Sequence, residues 1–227
     1  MWQKKAAEAM AEFVRGLFPV DKIEIKGSML DPDLLDVYSD VDMEVFLQDE
    51  ADFHAAEFIC KLSDEFGVFG YQIHRHENSD LLRICLDNGW RFDLSFVYTK
   101  GEAAQPAGTF EDIISSVANE FWFMAVMVLV KRWRGDYLIA SHLALELCQL
   151  IIVVQMIERD NAKNTNFHRF GDKENVPVFD ALLGLQTDTV CPILNILFLA
   201  AEHMDTMLLR LNPSYPRRAE KLKASLV

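Results

Sequence analysis

The sequence predicts an α+β protein: a mixed sheet with flanking helices, followed by a C-terminal helical-bundle domain. Three observations carry this expectation. Short β-branched runs with alternating polarity fill the N-terminal half. One pair of them flanks Asn88-Gly89, a dipeptide favoured in tight hairpins because both positions tolerate positive φ. After Gly101–Gly108, GEAAQPAG, the pattern changes to long apolar segments with helical spacing, which divides the chain into domains 1–105 and 106–227.

The first segment, MWQKKAAEAMAEFVRGLF, interleaves charge with apolar residues. Trp2, Ala6, Ala9, Phe13 and Leu17 then form one stripe of an amphipathic helix that Pro19 ends. The charge argues against a secretory signal, so the expected location is cytoplasmic. A strand follows at Lys22–Lys26, then Gly27-Ser28, and then a loop carrying Asp31, Pro32, Asp33 and Asp36. In the next strand, Val41–Leu47, the acids Asp40, Asp42 and Glu44 alternate with Val41, Met43 and Val45. Alternate strand residues share a face, so the three acids line one side while the apolar residues enter the core.

Phe53, Ala56, Ile59, Leu62 and Phe66 recur at helical intervals before Gly67, giving a crossover helix packed on the sheet. Val68–His76 reads as a strand on which His74 and His76 share a face; with no further ligand nearby, a solvated edge is the expectation. Leu81–Asp87 and Trp90–Val97 are the arms of the hairpin, joined by a two-residue loop. In its second arm Trp90, Phe92, Leu94 and Phe96 share one face, and Arg91, Asp93 and Ser95 share the other.

Beyond the boundary, Thr109 or Asp112 can cap a helix whose run Phe121–Val130 is apolar all round, which marks a buried helix. Lys131, Arg132 and Arg134 form its basic end and Gly135 closes it. Further helices are expected over Ile139–Arg159 and Val190–Leu211, with a polar loop over Asp160–Pro177. The uninterrupted apolar runs are shorter than the ~20 residues that span a bilayer, so no membrane partner is expected.

With 227 residues and 51% hydrophobic content the chain can bury a large core. Its net charge of -13 argues against nucleic acid, which needs cationic side chains to neutralise phosphates, and permits a cationic substrate. Cys60, Cys85, Cys148 and Cys191 are widely spaced, without a Cys-x-x-Cys pair, and read as reduced core residues. The assembly state is open, and a homodimer is compatible with everything above.

Carboxylates side by side repel unless a cation lies between them, and two aspartates on a rigid strand suit a Mg²⁺ that also holds substrate phosphates. Gly27-Ser28, the spacing to Asp40-Val41-Asp42 and the apolar residue after each acid resemble the signature of the nucleotidyltransferase superfamily. The nearest likeness is to small antibiotic-modifying enzymes. Asn119–Leu150, with Phe121-Trp122-Phe123 ahead of its lysine and arginine, is similar to a helix of aminoglycoside 6-adenylyltransferases and lincosamide nucleotidyltransferases. The likeness spans Ile23–Arg159.

That resemblance implies a nucleotidyltransferase-fold sheet domain and a helical domain, with ATP and antibiotic bound in the cleft between them. It also implies transfer of AMP from ATP to a hydroxyl of a small acceptor, an aminoglycoside or lincosamide. Carried onto this chain, Gly27 and Ser28 approach the triphosphate, and Asp40 and Asp42 hold Mg²⁺. Asp93 is the third carboxylate, either a ligand of a second metal or the general base. Lys131 is the expected phosphate contact from the helical domain. His168 and Arg169, in NFHRFG, are further candidates if their loop folds back over the cleft. Two other readings stay open: the same fold acting on a protein side chain or a nucleic-acid end, and a catalytically inactive nucleotide-binding module.

Overall fold

The computed structural model describes residues 2–31, 33, 35–48, 51–98, 109–163 and 192–224. The linker Gly101–Gly108, most of the loop Asp160–Pro177, and the candidates His168 and Arg169 lie outside them. The chain divides into two compact units, Met1–Ala107 and Gly108–Val227.

The first unit runs α1 (Trp2–Leu17), β1 (Val20–Ile25), one 3₁₀ turn (Gly27–Leu30), β2 (Val41–Leu47), α2 (Ala55–Phe66), β3 (Val68–His76), β4 (Ser79–Leu86) and β5 (Arg91–Val97). The strands form one five-stranded sheet in the order β1-β2-β5-β4-β3. All pairings are antiparallel except β2 with β5, which are parallel neighbours, so the sheet is mixed and the fold α+β as expected. A parallel pair needs a long crossover connection. Here α2, β3 and β4 supply it.

The alternation read from the sequence sets the two faces. Val41, Met43 and Val45 of β2 and Phe92, Leu94 and Phe96 of β5 are buried, while the residues between them are half-buried. The buried face receives α1 and α2 in one apolar cluster. Phe96 stacks on Phe53 with ring centroids 4.3 Å apart and meets Phe58 of α2 edge-on at 4.9 Å. Burying each such ring stabilises by about 1.5–3 kcal/mol, which fixes this face as the core and leaves the opposite one for polar residues.

Helix α1 is amphipathic, but its buried stripe is Gln3, Ala6, Ala7, Met10 and Val14. The expected stripe is displaced by about one residue. The bulky Trp2, Phe13 and Leu17 flank the contact, because Ala6 and Ala7 allow a closer approach to the sheet. Gly67, at φ +71, ends α2 as expected. His74 and His76 are exposed on the edge strand β3. Cys60 is also exposed, contrary to expectation, whereas Cys85 and Cys148 are buried free thiols.

The hairpin exists, with a different loop. Leu86 N–H donates to Trp90 O at 2.8 Å and Cys85 pairs with Arg91, so three residues, Asp87, Asn88 and Gly89, connect the arms. Gly89 takes the left-handed backbone, φ +85. Three-residue loops ending in a left-handed glycine are the next most common hairpin connection after two-residue loops. The one-residue change in register decides which side chain of β4 faces Asp93.

The second unit holds α3 (Phe110–Trp133), α4 (Tyr137–Lys163), α5 (Pro192–Leu211) and α6 (Ala219–Ala224). Thr109 and Asp112 both cap α3, as a reciprocal capping box: Asp112 N–H donates to Thr109 Oγ1, and Thr109 N–H to Asp112 Oδ2. Phe121 to Ala125 and Met127 to Val130 are buried, as a helix apolar all round requires. Helix α3 packs on α4 and α5. By length and composition α3 and α4 could each cross a bilayer, which the expectation from uninterrupted runs missed because it ignored small and weakly polar residues between them. Most of α3 is buried in the structure, and much of α4 is not.

Within this unit Asp205 ties the C-terminal segment down. Its buried carboxylate accepts from Arg218 N–H at 3.0 and 3.1 Å and Ala219 N–H at 2.8 Å, capping α6 from another helix. Trp122 Nε1–H donates to Tyr215 Oη at 2.7 Å and holds the approach to α6.

Candidate active site

The polar face of the sheet gathers the acids. Because β2 and β5 are parallel and in register, Asp42 is paired with Asp93 and Glu44 with Ser95. Neighbouring strands lie about 4.8 Å apart, so the Asp42 and Asp93 side chains leave the same face side by side. Two unit charges about 5 Å apart, at an effective dielectric constant of about 20, repel by roughly 3 kcal/mol.

Both carboxyls are raised, and burial is the first cause in each. Burial, then the charge of Asp40, raises the Asp42 carboxyl above the ordinary range, against the pull of Arg83. Asp93 is pushed up to about 6, chiefly by burial, with Asp40 and Asp42 adding to it against Arg83. A carboxyl near 6 is poised to take or give a proton close to neutrality.

Gly27 belongs to the same construction. Its backbone is left-handed, φ +62, and a β-carbon there would lie 2.0 Å from Asp42 Oδ2. Only glycine leaves room for this carboxylate. Gly27 is the glycine expected to approach a triphosphate; the reason for it that the structure gives is its packing against Asp42. Lys26 N–H donates to Asp42 O at 2.9 Å and fixes the turn against β2. Ser28 sits in the 3₁₀ turn, where its carbonyl accepts from Asp31 N–H at 3.2 Å.

The loop before β2 is pinned from α1. Gln3 Nε2 donates to Asp36 O at 2.7 Å and Ser39 O at 3.2 Å, and Trp2 Nε1 to Val37 O at 3.1 Å. Asp36 Oδ1 accepts from Tyr38 N–H and from Ser39 Oγ, a local turn that leads straight into Asp40. Asp40 therefore stands next to a held segment. The aspartates of the loop are unequal: Asp36 builds it, whereas Asp40 adds its charge to Asp42 and Asp93.

Not every acid on this face joins the group. Glu44 is drawn to Lys26 Nζ at 3.0 Å, which also meets Glu24 at 2.5 Å. Asp93 is engaged by Arg83, whose Nε donates to Oδ2 at 3.1 Å and Oδ1 at 3.3 Å. The three-residue hairpin loop makes Arg83 the register partner of Asp93; the two-residue loop would have placed Leu94 there. Among the described residues no group of three His, Cys, Asp or Glu side chains is gathered to hold a metal. The expected three-carboxylate metal cluster is not assembled in this structure. Arg83 is the residue that sequence reasoning missed, because its pairing with Asp93 depends on a loop length that Asn88-Gly89 does not specify.

Lys131 is placed in the last turn of α3, in the second unit, where its carbonyl accepts from Asp136 N–H at 2.9 Å. A cation there also complements the negative end of the helix dipole.

Among solved structures, the chain is similar to an aminoglycoside 6-adenyltransferase from Bacillus subtilis. The match has 12% identity, covers 92% of this chain and 90% of that one, and has a TM-score of 0.32. So low a score transfers no residue and no role. No family model and no curated protein matches the chain.

A divalent cation suits the donor set. Asp40, Asp42 and Asp93 offer only hard carboxylate oxygens, the kind Mg²⁺ prefers. Burial is the chief cause of the raised Asp42 and Asp93 carboxyls, Asp40 adds to both, and Arg83 pulls the other way.

Proposed function

We propose that this chain is a Mg²⁺-dependent nucleotidyltransferase that moves a nucleoside monophosphate, AMP from ATP, onto a hydroxyl of a small acceptor, with pyrophosphate leaving. The observation that supports it is the in-register pair Asp42 and Asp93 on adjacent parallel strands, with Gly27 closed against Asp42. In this reading Asp40 and Asp42 hold the metal, and Gly27 and Ser28 bring main-chain amides to the triphosphate. When bound, the cation supplies the positive charge that balances the entering and departing oxygens of an in-line displacement. Asp93, held near 6, takes the proton of the attacking hydroxyl or shares the metal. Lys131 is assigned a phosphate contact.

The acceptor class is an aminoglycoside first and a lincosamide second, because the excess of acids favours a cationic partner. A cytoplasmic setting fits the free thiols of Cys60, Cys85 and Cys148 and a demand for ATP. One observation favours a second reading, an inactive nucleotide-binding module: Arg83 occupies the carboxylate that turnover needs. Incubating the protein with ATP, Mg²⁺ and a panel of hydroxyl-bearing antibiotics, and reading acceptor mass, separates the two. A gain of one nucleoside monophosphate supports the transferase. Saturable Mg·ATP binding without any adduct supports the module.

A further inference from the structure

The ion pair between Arg83 and Asp93 bridges two adjacent strands on the acid face, with Asp42 the register partner of Asp93 on its other side. The guanidinium is thus next to the carboxylates that would receive a cation. Its pull is felt by Asp42 as well as Asp93. Arg83 is a third exposed, so part of its side chain reaches solvent.

A guanidinium and a divalent cation cannot both sit on one carboxylate without repelling. A planar fork of N–H donors also matches the oxygens of a phosphate, two at a time. We propose that Arg83 is a phosphate-binding residue of this site, stored on Asp93 while the metal is absent and transferred to the triphosphate when the metal takes the carboxylates. This rests on the nucleotidyltransferase reading and extends it: the same residue would compete with the bare cation and assist the cation that arrives with nucleotide. Metal and nucleotide then bind together more readily than either binds alone, since each relieves the charge that the other leaves unpaired.

The opposite signs of those two effects make the test. Calorimetry at pH 8, where Asp93 is ionised, is run on the full chain with Mg²⁺ alone and with Mg·ATP, for the native protein, Arg83→Gln and Arg83→Lys, with circular dichroism to confirm folding. Arg83→Gln is expected to bind Mg²⁺ alone about threefold or more tighter and Mg·ATP about tenfold or more weaker, the latter being the scale of one charge-assisted phosphate contact. Arg83→Lys keeps the charge without the fork, so its Mg²⁺ affinity should stay near native and its Mg·ATP affinity should fall between the other two. A merely structural arginine would weaken both ligands or neither, and either result overturns the proposal. If the native protein itself fails to bind Mg·ATP, the nucleotidyltransferase reading falls and takes this role with it. If the native protein binds and Arg83→Gln binds equally well, only the role of Arg83 falls.

Discussion

Replacing Asp93 by asparagine should stabilise the metal-free protein at neutral pH, although Asp93 holds a salt bridge. The folded carboxyl is pushed up from 3.8 to about 6, so the native state binds that proton more tightly than the unfolded chain does. Below about pH 4 the group is neutral in both states, and the side chain's contribution is at its most favourable. Between about 4 and 6 the unfolded chain loses its proton first, so stability declines as pH rises, and above about 6 the deficit is complete. At about 1.4 kcal/mol per pH unit, that gap corresponds to about 3 kcal/mol. That figure is already net of the Arg83 attraction, and partial exposure of the pair reduces the expected gain to roughly 1–2 kcal/mol. Asparagine keeps the shape and stays uncharged throughout, so the variant should match the native protein near pH 3.5 and exceed it at pH 7.5. Hydrogen exchange at the amides of β2 and β5, with chelator present, reads this unit without interference from the helical one. A variant less stable than native at pH 7.5 would refute the reasoning, because the Arg83 bond would then outweigh burial and repulsion together.

Asp42→Asn should leave the fold intact, since the amide fits the space beside Gly27, while lowering Mg²⁺-dependent ATP affinity by at least about tenfold; calorimetry with full affinity retained would remove Asp42 from the metal site. Gly27→Ala forces a β-carbon to 2.0 Å from Asp42 Oδ2 in left-handed backbone, so it should cost roughly 1–2 kcal/mol in urea unfolding and weaken Mg·ATP binding as well. Asp205→Ala strips the cap from α6 and leaves the Arg218 and Ala219 amides without their acceptor, for an expected loss on the order of 2–3 kcal/mol, seen as earlier exchange of the α6 amides.

The strands and their faces were legible because a half-buried strand must alternate: Val41 to Leu47 and Arg91 to Val97 could hide only one set of side chains. Asp42 and Asp93 were found for the same reason, as acids embedded in apolar runs. Their partnership was not legible, since local spacing says nothing about which strands become neighbours or in what register. Arg83 escaped for a related reason. A one-residue difference in the hairpin loop moves every cross-strand pair, and Asn88-Gly89 is compatible with both loop lengths. In α1 the periodicity was right and the phase was not, because size favoured Trp2 and Phe13 whereas close packing selected Ala6 and Ala7.

The first turn of α1 has a bearing on how this protein should be handled at the bench. The side chains of Trp2 and Gln3 grip the main chain of Asp36, Val37 and Ser39, one residue ahead of Asp40, so anything fused beside them acts on that segment. A fusion that unwinds that turn would slacken the segment presenting the first acid while the sheet and its core stayed folded. A preparation could then look sound by every spectroscopic criterion and still bind metal poorly.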